Sequence, residues 1–170
     1  SNNEYNTLEF VVKKNNSKNK NYDVTIDPGH GGMDGGGASG NYKETDFTMD
    51  ISKKVKSNLE KAGITVKLTH DEGDIDKNHV MDEYNKGGRA VIPNEVKSKY
   101  TFSIHINKSG SSKVKGIELY TPSDINYDLV KDIVNNITNN TSLGYSSNRL
   151  YKKFDGIYTH NFTESEVKSA

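Results

Sequence analysis

The sequence contains no cysteine. This absence excludes thiolate metal sites, disulfide bonds and a cysteine nucleophile, although it leaves the compartment open. The charges also balance, with 23 Lys and Arg residues against 23 Asp and Glu residues. Because there is no basic excess, the composition gives no indication of nucleic-acid binding. No apolar run reaches about 18 residues, so no transmembrane segment is predicted.

The 170 residues suit one compact domain with a polar surface, since only 31% of them are apolar and 27% are charged. Residues 1–21 are interpreted as a polar N-terminal segment or linker, in which the apolar patch Leu8–Val12 predicts an edge strand. Residues 22–170 form the predicted domain, and we expect a monomer. No signal peptide is predicted in these residues, and the start at Ser1 suits a mature exported protein or a trimmed chain.

The stretch 22–37, YDVTIDPGHGGMDGGG, combines a strand pattern with a glycine-rich loop. Residues 22–26 alternate in polarity and stop at Asp27-Pro28-Gly29, which predicts a buried strand that ends just before His30. Glycines surround this histidine and leave its imidazole open to close approach by other groups. Residues 22–37 alone are equally compatible with a turn histidine that merely ends a strand.

The rest of the chain alternates between helix and strand patterns. Strand, helix and strand in succession predict a βαβ unit, and the sum predicts an α/β fold, a three-layer sandwich with a mostly parallel twisted sheet flanked by helices. The predicted elements are a helix from an N-cap at Thr45 to Gly63, a strand at 64–69, a long loop at 70–88, a short helix at 89–99, strands at 100–107 and 116–121, and a helix at 125–141.

His30, Glu44 and His105 are the candidate metal ligands. The carboxyl ends of parallel strands and the starts of the following helices meet at one edge of a sheet, so this topology brings the three residues together. Two imidazoles and one carboxylate form a ligand set of the catalytic zinc type, which leaves a fourth position for water. Asp27 is a candidate for orienting one of these ligands.

Each ligand also has a plain structural interpretation. His105 is compatible with a hydrogen-bonded core histidine, and Glu44 with a first-turn charge that complements the helix dipole. The spacing of the three residues matches no short zinc motif such as HExxH. Residues 35–40 satisfy GxGxxG, but no strand ends directly before them and no helix begins on them, so a dinucleotide site is not predicted.

Four blocks of the sequence together resemble the zinc-dependent N-acetylmuramoyl-L-alanine amidases. They are IDPGHGGMDGG at 26–36, Lys43-Glu44 before a helix, SIHIN at 103–107 and Gly116-Ile117-Glu118. Arg89 and Asn94 fit a further part of the pattern. The resemblance implies zinc bound by His30, Glu44 and His105, and hydrolysis of the amide between N-acetylmuramic acid and L-alanine in peptidoglycan. It also implies action outside the cell, at the cell wall, and Asn107 is a candidate substrate-binding residue.

The sequence departs from this family at two places. Thr69-His70 replaces a threonine-arginine pair, and we interpret His70 as a surface histidine. The family's catalytic glutamate near its C-terminus, on a strand reading VExGF, has no match, because Glu164 and Glu166 lie in a helix-like stretch. Two explanations stay open: the chain stops before this last strand, or an insertion has displaced the strand beyond Ala170. No residue is assigned as general base. Two alternatives follow: a peptidoglycan-binding or regulatory domain that keeps the metal without turnover, or a zinc peptidase that cuts peptide stems.

Overall fold

The computed structural model describes residues 5–14, 21–71, 87–111, 113–122, 124–146 and 157–159. In chain order, the elements are β1 (Tyr5–Lys14), β2 (Val24–Pro28), β3 (Ala38–Ser39), β4 (Tyr42–Lys43), α1 (Glu44–Lys61), β5 (Val66–Leu68), α2 (Ile92–Glu95), β6 (Tyr100–Lys108), β7 (Gly116–Thr121), α3 (Tyr127–Asn140) and β8 (Ile157–Thr159). No helix within these ranges is long and apolar enough to cross a membrane.

One sheet in the order β5-β2-β6-β1-β7-β8 forms the centre of the molecule, and β3 and β4 form a separate small hairpin. Every neighbouring pair in the large sheet is parallel except β6 with β1, which is antiparallel. Helix α1 packs against β2, β5 and β6, whereas α3 packs against β7 and β8. The predicted α/β fold with a mostly parallel sheet flanked by helices is confirmed.

Strand β1 lies inside the sheet, so the prediction of an edge strand is wrong. It pairs with β6 along one side and with β7 along the other, and Val12 is completely buried. The apolar patch predicts a strand correctly. However, the residues of one strand do not show how many neighbouring strands it pairs with. The division of the chain at residue 21 stays a prediction.

The core forms where the sheet meets the two long helices. Its buried members are Val12, Val24, Ile26, Val66, Ile104, Ile117, Leu119, Val130, Val134 and Ile157. The apolar side chains of Ile51, Val55 and Leu59 on α1 pack against this core.

Helix α1 begins at Glu44, so its N-cap position lies two residues before the predicted N-cap Thr45. The position before the helix is Lys43, which makes no side-chain cap. Instead, the backbone N–H groups of Glu44 and Thr45 donate to the carbonyls of Gly37 (2.9 Å) and Gly35 (3.3 Å). Carbonyls of the glycine-rich loop therefore satisfy helix-terminal donors that a capping side chain usually satisfies.

Replacing Leu119 by alanine tests the packing of the core. Leu119 is fully buried on β7, so L119A leaves a cavity and we expect it to lower the free energy of unfolding by about 2–5 kcal/mol. Met33, which is 84% exposed, provides the control, because M33A removes almost no buried surface. Urea unfolding followed by circular dichroism measures both; equal stability of the two variants would contradict this arrangement of the core.

Candidate metal centre

His30 follows β2 in a left-handed backbone conformation, with φ of 61°. This conformation is uncommon for a residue with a side chain and costs about 1–3 kcal/mol unless the surroundings hold it. The chain is held on both sides: the Gly29 N–H donates to the Ile104 carbonyl at 2.8 Å, and Gly31 and Asp34 exchange two backbone hydrogen bonds. The glycine-rich loop is thus tied to β6 and to itself.

Asp34 orients the His30 ring, a role that no sequence motif predicts. Its Oδ2 lies 2.8 Å from His30 Nδ1. Burial alone would raise the pKa of Asp34, but hydrogen bonds from His30 and the Gly36 backbone lower it, so the carboxylate is ionised and only accepts. Nδ1 is therefore the donor, and Nε2 of the neutral ring carries the free lone pair.

Glu44 stands between the two histidines. Its Oε1 lies 3.2 Å from His30 Nε2 and 3.3 Å from His105 Nδ1. The two imidazoles meet edge to face with their centroids 4.9 Å apart. One ligand atom from each of the three residues lies within 4.8 Å of the other two. The structure therefore brings together the three residues that the sequence singles out.

Two backbone donors also hold the Glu44 carboxylate. The Ile106 N–H donates to Oε1 at 2.9 Å, and the Gly37 N–H donates to Oε2 at 3.1 Å. Burial alone would raise the pKa of Glu44, but hydrogen bonds with His105, His30 and these two N–H groups hold it well below its ordinary range. Glu44 is therefore an ionised carboxylate at neutral pH, although only 5% of the residue is exposed.

The same charge arrangement acts on His30. Burial lowers the pKa of the imidazole, but Glu44 and Asp34 outweigh burial and raise it above the usual 6.5. A site that draws a proton onto its imidazole also attracts other cations. Two nitrogen donors and one carboxylate oxygen, partly open to solvent at 15% and 25% exposure of the two histidine side chains, suit a divalent metal ion.

Asp27 lies beneath the loop and bonds to three neighbouring segments. Its Oδ1 accepts from Thr69 Oγ1 (2.7 Å) and Arg89 Nε (3.1 Å), and its Oδ2 accepts from Ser103 Oγ (2.9 Å). Burial alone would raise the pKa of Asp27, but the Arg89 guanidinium and the Thr69 hydroxyl lower it. The carboxylate that hydrogen-bonds the His30 ring is Asp34. The orienting role expected of Asp27 stays a prediction; its support is the bond from Arg89 to Asp27, because Arg89 also bonds the His30 carbonyl.

His70 is buried, so its interpretation as a surface histidine is wrong. It is 4% exposed, and its Nδ1 lies 3.1 Å from Thr69 Oγ1. It also packs against the loop, because a Cβ built on Gly31 would lie 2.7 Å from His70 Nε2. Acidic neighbours in sequence suggest exposure, but β5 pairs with β2 and so carries His70 under the loop that follows β2.

Asn107 follows His105 by two residues on β6 and is half-buried. Its Nδ2 donates to Glu118 Oε2 at 3.3 Å. Glu118 is 2% exposed and also accepts from Tyr120 at 3.1 Å and from Ser146. The predicted role of Asn107 in substrate binding is not tested by these contacts. Glu164 and Glu166 lie outside the described residues.

The fold and the site define an α/β protein whose two histidines and one glutamate can hold a metal ion. A profile of the N-acetylmuramoyl-L-alanine amidase family matches residues 24–166. The chain belongs to this family, and the resemblance stated from its motifs is confirmed.

Curated relatives carry related names. The chain is 34% identical over 104 residues to the "probable cell wall amidase LytH" of Staphylococcus saprophyticus, covering 59% of this chain and 31% of that protein. It is 29% identical over 147 residues to the germination-specific N-acetylmuramoyl-L-alanine amidase of Bacillus subtilis, covering 79% of this chain and 59% of that protein. The chain thus spans about a third to three fifths of their lengths. No solved structure matches the chain.

Gly36 and Gly40 form a matched pair for testing the site. Both have positive φ, 65° and 60°, so alanine costs about 1–2 kcal/mol of backbone strain at either position. A Cβ on Gly36 would lie 2.5 Å from His30 Cδ2 and 2.9 Å from Glu44 Cβ, whereas nothing lies within 4 Å at Gly40. We expect G36A to weaken metal binding about tenfold or more and G40A to leave it unchanged. Chelator competition measures this, and equal affinities would refute the geometry.

Metal affinity should rise with pH. Only deprotonated imidazoles bind a metal. Because the pKa of His30 is raised, protons begin to compete with the metal at a pH above the usual pKa of 6.5, and metal affinity falls as the pH decreases further. Titration between about pH 5 and 8 measures the profile. Asp34→Asn removes one cause of the raised pKa, so its affinity should begin to fall at a lower pH. A flat profile in the parent protein would contradict this.

Proposed function

We propose that this chain is the zinc-dependent hydrolase domain of a cell-wall amidase that cleaves the bond between N-acetylmuramic acid and L-alanine in peptidoglycan. The single observation that carries the proposal is the convergence of His30 Nε2, Glu44 Oε1 and His105 Nδ1 within 4.8 Å in a chain of the amidase family. The names of the relatives support the bond and the substrate. They also support a location outside the cell, at the wall.

The donor set favours zinc over harder cations. Imidazole nitrogens suit zinc and other transition metals, whereas calcium and magnesium prefer oxygen ligands. Three protein ligands leave one tetrahedral position open, as in catalytic zinc sites. Held by His30, Glu44 and His105, zinc would supply Lewis acidity and would lower the pKa of a water molecule towards about 7.

The residues of the chain prepare this site before any ligand arrives. Asp34 keeps the His30 lone pair on Nε2, and the Ile106 and Gly37 N–H groups fix both oxygens of Glu44. These contacts lower the cost of ordering the ligands when a metal binds. Asn107, on the strand that carries His105, is the proposed polar contact for the substrate.

A second candidate function is a peptidoglycan-binding or regulatory domain that holds zinc without turnover. It is favoured because no described residue is assigned as general base. A general base typically contributes about 10²–10⁴-fold to the rate, so turnover without one would be slow. The zinc peptidase that cuts between stem residues is the remaining alternative. All three share the metal centre, so the product of the reaction distinguishes them.

Alanine variants of the three ligands test the zinc assignment. We expect His30→Ala, Glu44→Ala and His105→Ala each to lose stoichiometric zinc, because two remaining ligands bind far more weakly. Glu60→Ala, on the exposed end of the same helix as Glu44, is the control and should retain zinc. Metal analysis of the purified proteins measures this. Full zinc occupancy in all three ligand variants would overturn the assignment.

The reaction is tested by incubating purified cell wall with the zinc-loaded chain. Release of free L-alanine N-termini supports the amidase. Zinc binding without release identifies the binding domain, and cleavage between stem residues identifies the peptidase.

A further inference from the structure

We propose that Arg89 is a positioning residue that holds the metal-binding loop in its strained conformation and thereby sets the affinity for zinc. The inference rests on the proposed metal site. It concerns Arg89, which bonds to the backbone carbonyl of His30 and not to the side chain of a proposed ligand. It assigns to Arg89 a role in the backbone geometry of His30 rather than in the reaction itself.

A single nitrogen of Arg89 bridges both sides of the strained position. Arg89 Nη2 donates to the Pro28 carbonyl at 2.8 Å and to the His30 carbonyl at 2.6 Å. Two carbonyls separated by one residue converge on one donor only when the chain between them turns. The turn lies at Gly29 and His30, and the positive φ of His30 belongs to it. An extended His30 would carry its carbonyl away from the guanidinium.

Asp27 fixes the guanidinium from the other side. Its Oδ1 accepts from Arg89 Nε at 3.1 Å, while Thr69 at the end of β5 and Ser103 on β6 hold its two oxygens. The side chains of Arg89 and Asp27 are only 13% and 14% exposed. Through Asp27, Arg89 is therefore anchored to the three adjacent strands β5, β2 and β6. Its bonds to the Pro28 and His30 carbonyls hold the loop in place against these strands.

The loop conformation determines where the His30 ring lies. With φ at 61°, Nε2 stands 3.2 Å from Glu44 Oε1. Relaxing His30 to an ordinary backbone conformation would remove this strain and swing the ring away from the other two ligands. Arg89 opposes this relaxation. Its planar fork of donors is what allows it to bond Asp27 and two carbonyls at once, which a lysine ammonium on a flexible stem reproduces poorly.

Positioning and simple electrostatics predict opposite results for Arg89→Gln. Removing a positive charge, and leaving the Asp27 carboxylate without its cation, would strengthen the binding of Zn²⁺ if charge were all that mattered. If Arg89 positions His30, the same substitution weakens binding, by about 10- to 100-fold as for other residues that orient metal ligands. The direction of the change therefore decides between the two.

The experiment measures the dissociation constant of Zn²⁺ by chelator competition for the full chain and for Arg89→Gln, Arg89→Lys and Leu119→Ala. We expect a large loss for R89Q and a smaller one for R89K. L119A, which destabilises the core away from the loop, should bind zinc normally under conditions in which it is folded. Binding by R89Q as tight as that of the parent protein, or tighter, would overturn the proposal.

Amide hydrogen exchange in the metal-free protein separates this proposal from the proposed function. The Gly31 and Asp34 N–H groups bond to each other's carbonyls within the loop at 2.8 and 3.0 Å, so R89Q should accelerate their exchange. The Gly63 N–H, bonded to Glu60 at the far end of α1, is the control. Unchanged exchange at Gly31 and Asp34 refutes the role of Arg89 whether or not the chain binds zinc.

Discussion

The architecture of the site depends on where one carboxylate is placed. Glu44 is the first residue of α1, so its charge lies at the positive end of the helix dipole. Its two oxygens accept from the backbone of β6 and of the glycine-rich loop, while both imidazoles approach Oε1. A buried anion with these donors is stable only when all the elements meet correctly. The helix start, the loop and the strand are therefore mutually dependent.

The glycine-rich loop is shaped by close contacts on both of its faces. Gly36 leaves room for His30 and Glu44, and Gly31 leaves room for His70. Beneath the loop, Asp27 and Arg89 link β5, β2 and β6 to the carbonyls around His30. The loop thus borders the candidate metal centre on one face, and side chains from distant parts of the chain hold its other face. Backbone hydrogen bonds of Gly29 and Gly31, and the bond from Arg89 to the His30 carbonyl, surround the residue with positive φ.

Local patterns predicted what depends on local chemistry. The α/β class, the strands around residues 24–28 and 100–108, the two long helices and the three candidate ligands follow from periodicity, turn residues and sequence motifs. The interior place of β1, the burial of His70 and the helix start at Glu44 did not follow. Each of these depends on residues outside the element concerned. The place of β1 depends on β6 and β7, and the burial of His70 depends on the pairing of β5 with β2. The start of the helix depends on the carbonyls of Gly35 and Gly37.

The sequence by itself determined the kinds of group that are available: imidazoles at 30 and 105, a carboxylate at 44, and glycines that permit close approach. Only the tertiary structure decided that Glu44 Oε1 lies between both imidazoles, that Asp34 rather than Asp27 bonds His30, and that Arg89 spans two carbonyls of the loop. Donor identity is a property of each residue, whereas distances of about 3 Å between donors require packing of strands that are far apart in the chain.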